Sequence, residues 1–118
     1  MLTVASLYAL AVAVLVLALW IGSLVRGAVP ELATQPKAIR FHIAAEVGMA
    51  ALLAAGGVLG LAGAPGAEGI LLLGFGAVLY SVVNSSGHYA ELGQGGPLVL
   101  FGVLLMVTTG LAAGLLAG

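Results

Sequence analysis

Four stretches of the chain carry no charged side chain: residues 2–25, 47–67, 69–87 and 92–118. Between and beside them lie three short segments rich in polar and turn-forming residues, "RGAVPELATQPK", "AGAPGAEG" and "GHYAELGQGGP". A helix that crosses a bilayer needs about 20 predominantly apolar residues, and each charge-free stretch meets that length, the third only just. The pattern predicts spanning helices over about 2–25, 37–63, 68–87 and 97–117. A soluble bundle would show a polar helix face to water, and none of these stretches has one. Short connections make sequential helices antiparallel neighbours. The expected fold is therefore an all-α, transmembrane four-helix up-down-up-down bundle, a single domain over residues 1–118 with no internal repeat.

Local signals set the expected boundaries. Pro30 and Pro36 keep the first loop non-helical, because proline removes a backbone donor. "GAPG" punctuates the turn after the second helix. Glu68 suits a helix N-terminus, where a carboxylate meets the positive end of the backbone dipole. The third helix weakens at "NSSGH", with "HYAEL" as a short interfacial turn. Pro97 opens the fourth helix in its first turn, where proline is tolerated. The small-residue spacings Gly56/Gly60 and Gly110/Gly114/Gly118 let backbones approach closely, within one subunit or between subunits.

Composition sharpens this picture. Of 118 residues, 63% are hydrophobic and 6% charged, whereas a soluble domain carries about a quarter charged. The bilayer is then the expected solvent, and lipid the first partner. Three basic residues and a net charge of −1 cannot neutralise a phosphate backbone, which excludes nucleic acid as a partner. With no cysteine there is no disulfide, thiolate metal site or cysteine nucleophile. The opening "MLTVASLYALAVAV" has no Lys or Arg ahead of its apolar run, and that run exceeds a signal peptide's core, so a retained span is expected. No myristoylation motif follows the first Met, since position 2 is Leu2.

Arg26, Lys37 and nearby Arg40 cluster about the first loop, while the second and third loops hold no Lys or Arg. Basic loops stay cytoplasmic. Loops one and three are thus expected in the cytoplasm and both termini outside, in a prokaryotic inner membrane. Trp20, Tyr8 and Tyr89 read as interfacial aromatics.

Candidate chemistry concentrates where loops one and three meet the helices. His42 and Glu46 are four residues apart on one helix face. Tyr80, Asn84, His88 and Glu91 follow at spacings of four, four and three, one face of a continuous helix. The two stripes are expected to meet as a polar pocket of Arg40, His42, Glu46, Tyr80, Asn84 and His88 near the cytoplasmic surface. Arg40 and Lys37 can reach headgroups and serve as anchors. Glu46 lies about 9 Å further in and cannot. An acid at that level must be neutral, paired or lining a wet cavity, and is a functional candidate by default. His42, His88, Asn84 and Arg40 are its expected partners. The plainer reading is that these groups only tie helices together, which is worth about 1 kcal/mol.

Several activities fit such a pocket. An imidazole beside a carboxylate suits proton or cation binding and could serve transport, although the far halves of the helices offer only Thr3, Ser6, Thr108 and Thr109 to continue a path. His42 and His88 could act as axial ligands to a haem b. His42, Glu46 and His88 could hold a divalent metal. An accessory subunit of a larger membrane complex, or a homo-oligomer, suits a chain with so sparse a polar kit.

"RFHIAAE" loosely resembles the second helix of the glutathione-using membrane enzymes often called MAPEG, which have four helices and form trimers. Arg40, His42 and Glu46 match that helix in type, while the spacing to Glu46 differs and no Asn intervenes. The resemblance would imply a membrane enzyme with those three residues in its site. "RFHIAAE" and "NSSGHYAELGQ" together resemble segments of small four-span prokaryotic membrane proteins of unassigned function, which implies the architecture and no activity.

Overall fold

The computed structural model describes all 118 residues and contains helices only. They are α1 (Leu2–Val25), α2 (Glu31–Thr34), α3 (Pro36–Leu61), α4 (Ala67–Glu91) and α5 (Gly95–Ala117). All but α2 are long and apolar enough to cross a membrane. At 1.5 Å per residue, the shortest of these four, with 23 residues, extends about 34 Å, against a hydrocarbon core of about 30 Å.

Three of the long helices stop in the same way. Gly27, Gly63 and Gly93 each take a left-handed conformation, with φ of 65°, 68° and 68°. Their N–H groups donate to Leu24, Gly60 and Ala90, and the next residues donate to Ser23, Leu59 and Tyr89. This paired hydrogen-bond pattern satisfies carbonyls that a helix end leaves open, and glycine reaches the required φ without a Cβ penalty.

Two expected boundaries are corrected. The first loop is not wholly irregular, because Glu31–Thr34 forms one helical turn between Pro30 and Pro36. Pro30 sits at its N-cap and Pro36 opens α3, positions where the missing N–H costs nothing. The third long helix does not weaken at "NSSGH" but continues to Glu91. Ser86 returns its hydroxyl to the Val82 carbonyl at 2.6 Å, and the Tyr89 ring packs 5.6 Å from Phe101 of α5. Tertiary packing outweighs the cost of about 1 kcal/mol for a mid-helix glycine at Gly87.

α3 packs against α1 and α4, α4 also packs against α5, and the α1/α5 seam is the least populated. At the Met1 end the helices touch almost backbone to backbone. A Cβ on Gly57 would stand 2.6 Å from Leu10 Cγ and 2.9 Å from the Ser6 carbonyl oxygen. A Cβ on Gly60 would collide with the Ser6 hydroxyl, which is buried with no hydrogen-bond partner. On the neighbouring seam Gly56 admits Leu71, and Gly74 admits Leu53. Phe75, Leu53, Leu71 and Val78 are the largest fully buried apolar side chains.

Tyr8 closes the remaining seam. Its hydroxyl stands 2.6 Å from Thr108 Oγ1 and donates to the Leu104 carbonyl at 3.3 Å, while its ring meets Phe75 edge-on at 5.9 Å. The expectation of an interfacial aromatic at this position is thereby overturned. Tyr8 is an internal tie between α1 and α5.

Candidate functional site

The α2 end of the bundle is built differently. There the four long helices and the first loop enclose an open cavity of about 860 Å³. Its walls include Val12, Val16, Leu100 and Leu104, and its polar lining gathers on α3 and α4.

Glu46 is the centre of that lining. α3 carries it one helical turn beyond His42, so both side chains share the cavity face. The carboxylate side chain is 13% exposed, and its Oε1 lies 3.7 Å from His42 Nε2, within ion-pair distance when the imidazole is protonated. Ser81 of α4 donates its hydroxyl to Oε2 at 2.8 Å. The His42 ring stands edge-on to Trp20 of α1, with ring centres 5.7 Å apart. One acid thus joins α3 to α4, and its imidazole neighbour joins α3 to α1.

The expected partners of Glu46 separate into two groups. His42 is beside it. Asn84 and His88 line the same cavity but make no hydrogen bond to the carboxylate; the exposed His88 ring instead stands 5.3 Å from Tyr89. Arg40 does not line the cavity and is exposed. Two residues on a helix subtend about 200°, so Arg40 faces away from the side that carries His42. Tyr80 is 75% exposed and also absent from the cavity wall. It borders a smaller side cleft of about 220 Å³ between α3 and α4, where His42, Glu46, Ser81 and Asn84 present their other edge.

His42, Glu46 and His88 do not form a coordination set, since no three His, Asp or Glu side chains are grouped to hold a metal ion. The two imidazoles are each engaged with an aromatic neighbour, His42 with Trp20 and His88 with Tyr89.

Ser81 was not among the expected site residues. Of the stripe Tyr80–Asn84–His88, Asn84 and His88 line the cavity and Tyr80 does not, and α4 brings Val78, Ser81, Val82, Ser85 and Tyr89 into the wall beside them. The buried series Leu71, Phe75, Val78, Val82 marks the inward face once it is known to be inside. The sequence hides it, because every other face of α4 is also largely apolar. Trp20, Ser85 and Glu31 are further lining residues that were not anticipated as part of the site.

Together these features define a small helical protein with four membrane-length apolar helices and one acid-centred cavity. The chain belongs to the family described as Domain of unknown function (DUF8058), which covers residues 1–117. No curated protein and no solved structure matches it.

Proposed function

We propose that this is a polytopic protein of a prokaryotic inner membrane that binds a cation, a proton or a small polar ligand at Glu46. The four long helices would cross the bilayer up-down-up-down, with both termini outside. Arg26, Lys37 and Arg40 would sit at the cytoplasmic headgroups. Large apolar side chains on the outer surface support lipid as the solvent, among them Val14, Phe41, Leu73, Val99 and Met106. The membrane orientation rests on the basic residues at the α2 end.

One observation carries the binding reading: Glu46, at 13% exposure, meets only His42 and Ser81 and lines a cavity large enough for a ligand. An ionisable side chain at such depth is costly to keep unless it serves binding or conduction. Glu46→Gln in reconstituted vesicles tests it. Loss of proton or cation uptake with thermal stability unchanged supports the reading. A drop in stability with uptake unaffected, or equally absent in the unsubstituted protein, assigns Glu46 to structure alone.

A second reading, membership of a homo-oligomer or a larger membrane complex, is favoured by α5. Only 11% of its membrane-length window is buried within the subunit, against 28–33% for the other three long helices. Cross-linking in native membranes, with a shift to dimer or higher mass, checks it.

A further inference from the structure

We infer that the cavity takes an organic cation: a monovalent ammonium carried on an apolar or aromatic body. This rests on the reading of the cavity as a ligand site and specifies what the site selects.

Charge is the first filter. The only Asp, Glu, Lys or Arg side chains in the lining are those of Glu46 and Glu31, while Arg26, Lys37 and Arg40 all lie outside it. An anion would meet two carboxylates and no fixed cation, an arrangement that rejects it.

The second filter is hydrogen bonding at Glu46. Oε2 accepts from Ser81, but Oε1 accepts no hydrogen bond from the protein, because His42 Nε2 at 3.7 Å is too far to donate one. In a side chain that is 13% exposed, an oxygen with open acceptor capacity suits a donor, and a charged donor makes the stronger bond.

The third filter separates organic from inorganic cations. Calcium takes six to eight oxygen ligands, and transition metals want several His or carboxylate groups together. No grouping of three His, Asp or Glu side chains exists here. An ammonium needs one carboxylate and benefits from nearby aromatic rings, and Trp20, Tyr89 and Phe101 are in the lining. The largely apolar wall then has a role, as the seat of the ligand's body.

Access follows from the second opening. Glu46, His42, Ser81 and Asn84 line both the main cavity and the side cleft between α3 and α4. The small Ala45 and Ala77 and the exposed Tyr80 border that cleft. An amphipathic cation already dissolved in the bilayer surface can therefore approach the carboxylate sideways.

Trp20 is the chain's single tryptophan and lines the cavity, so its emission reports occupancy directly. The purified full chain in lipid nanodiscs is titrated with phenethylammonium, with its neutral analogue phenethyl alcohol, with the anion phenylpropanoate, and with Na⁺ and Ca²⁺. Saturable change with the ammonium, at least tenfold weaker response to the alcohol and none to the anion are expected. Glu46→Gln should weaken the ammonium about tenfold or more, and Glu31→Gln at the cavity mouth less. Glu46→Asp, which keeps a carboxylate, should retain ammonium selectivity over the alcohol, and an unchanged circular-dichroism melt of Glu46→Gln guards against a misfolded variant. Equal response to alcohol and ammonium, or ammonium binding that survives Glu46→Gln, overturns the organic-cation assignment. A saturable response to Na⁺ or Ca²⁺ with none to the ammonium overturns it too, while leaving a cation-binding pocket intact. Silence toward every probe overturns the ligand-site reading along with this inference.

Discussion

The two ends of the bundle solve opposite problems with the same four helices. At the Met1 end, Gly57 and Gly60 bring α3 against Ser6 and Leu10 of α1, and Tyr8 pins α5 through Thr108. At the α2 end, the named contacts between α1 and α3 pass through large rings, Trp20 against His42, and the helices stand far enough apart to enclose about 860 Å³. In the bilayer that the proposed function implies, lipid tails are as apolar as leucine, so close backbone approach would have to supply the cohesion between helices. The tight end provides that cohesion. The wide end can then hold an acid and a cavity without the bundle coming apart.

Changes at the tight end should cost most. Gly57→Leu places atoms where Leu10 and the Ser6 backbone already stand, and overpacking of that kind costs about 3 kcal/mol or more. We expect loss of the helical unfolding transition in detergent, followed by circular dichroism. Gly110→Leu is the matched control, since a Cβ there meets nothing within 4 Å, and its transition should stay in place. If both variants unfold alike, tight packing at the Met1 end is not the source of stability.

Phe75→Ala follows. Phe75 is fully buried between the two ends and touches Tyr8, and such truncations cost about 3 kcal/mol. Its melting temperature should fall clearly, short of complete unfolding. Tyr8→Phe removes the links to Thr108 and the Leu104 carbonyl and keeps the ring, for an expected loss of about 1 kcal/mol. A cysteine pair across the α1/α5 seam should cross-link faster in that variant if Tyr8 holds the seam closed.

The smallest stability effect is expected at the wide end. Ser81→Ala removes one donor to Glu46 beside an open cavity, and should shift stability by about 0.5 kcal/mol. Tyr80→Phe, on the exposed face, should change neither stability nor any response of Trp20. An effect of Tyr80→Phe as large as that of Ser81→Ala would place the active face of α4 where the Tyr80–Asn84–His88 spacing first suggested.

Much of the fold was legible in the residues. The four charge-free runs located four long helices, and the second of them ends at the expected "GAPG" turn. The continuation of α4 through Gly87 was not legible, because it depends on Tyr89 finding Phe101 across the bundle. Of the site, Glu46 and His42 were readable as a turn-spaced pair on one helix, and both line the cavity. Ser81 was hidden because a serine in an apolar helix carries no sign of which way it faces. Arg40 was misplaced because proximity in sequence to His42 said nothing of the 200° between them.

The glycines make the same point. Gly56 and Gly60 share a spacing that allows close packing, and the structure divides them: Gly56 admits Leu71 of α4 and Gly60 admits Ser6 of α1. Gly57, outside that spacing, makes one of the closest approaches to α1.

By itself, the sequence determined that this chain forms four membrane-length helices and that its few polar groups concentrate toward one end. Those outcomes depend on length, composition and chain punctuation, all local properties. Only the tertiary structure decided which faces turn inward, that Tyr8 ties α1 to α5, and that Ser81 meets Glu46. In a helix that is apolar all round, burial leaves no periodic trace, so the inside is defined by contact between helices and by nothing earlier.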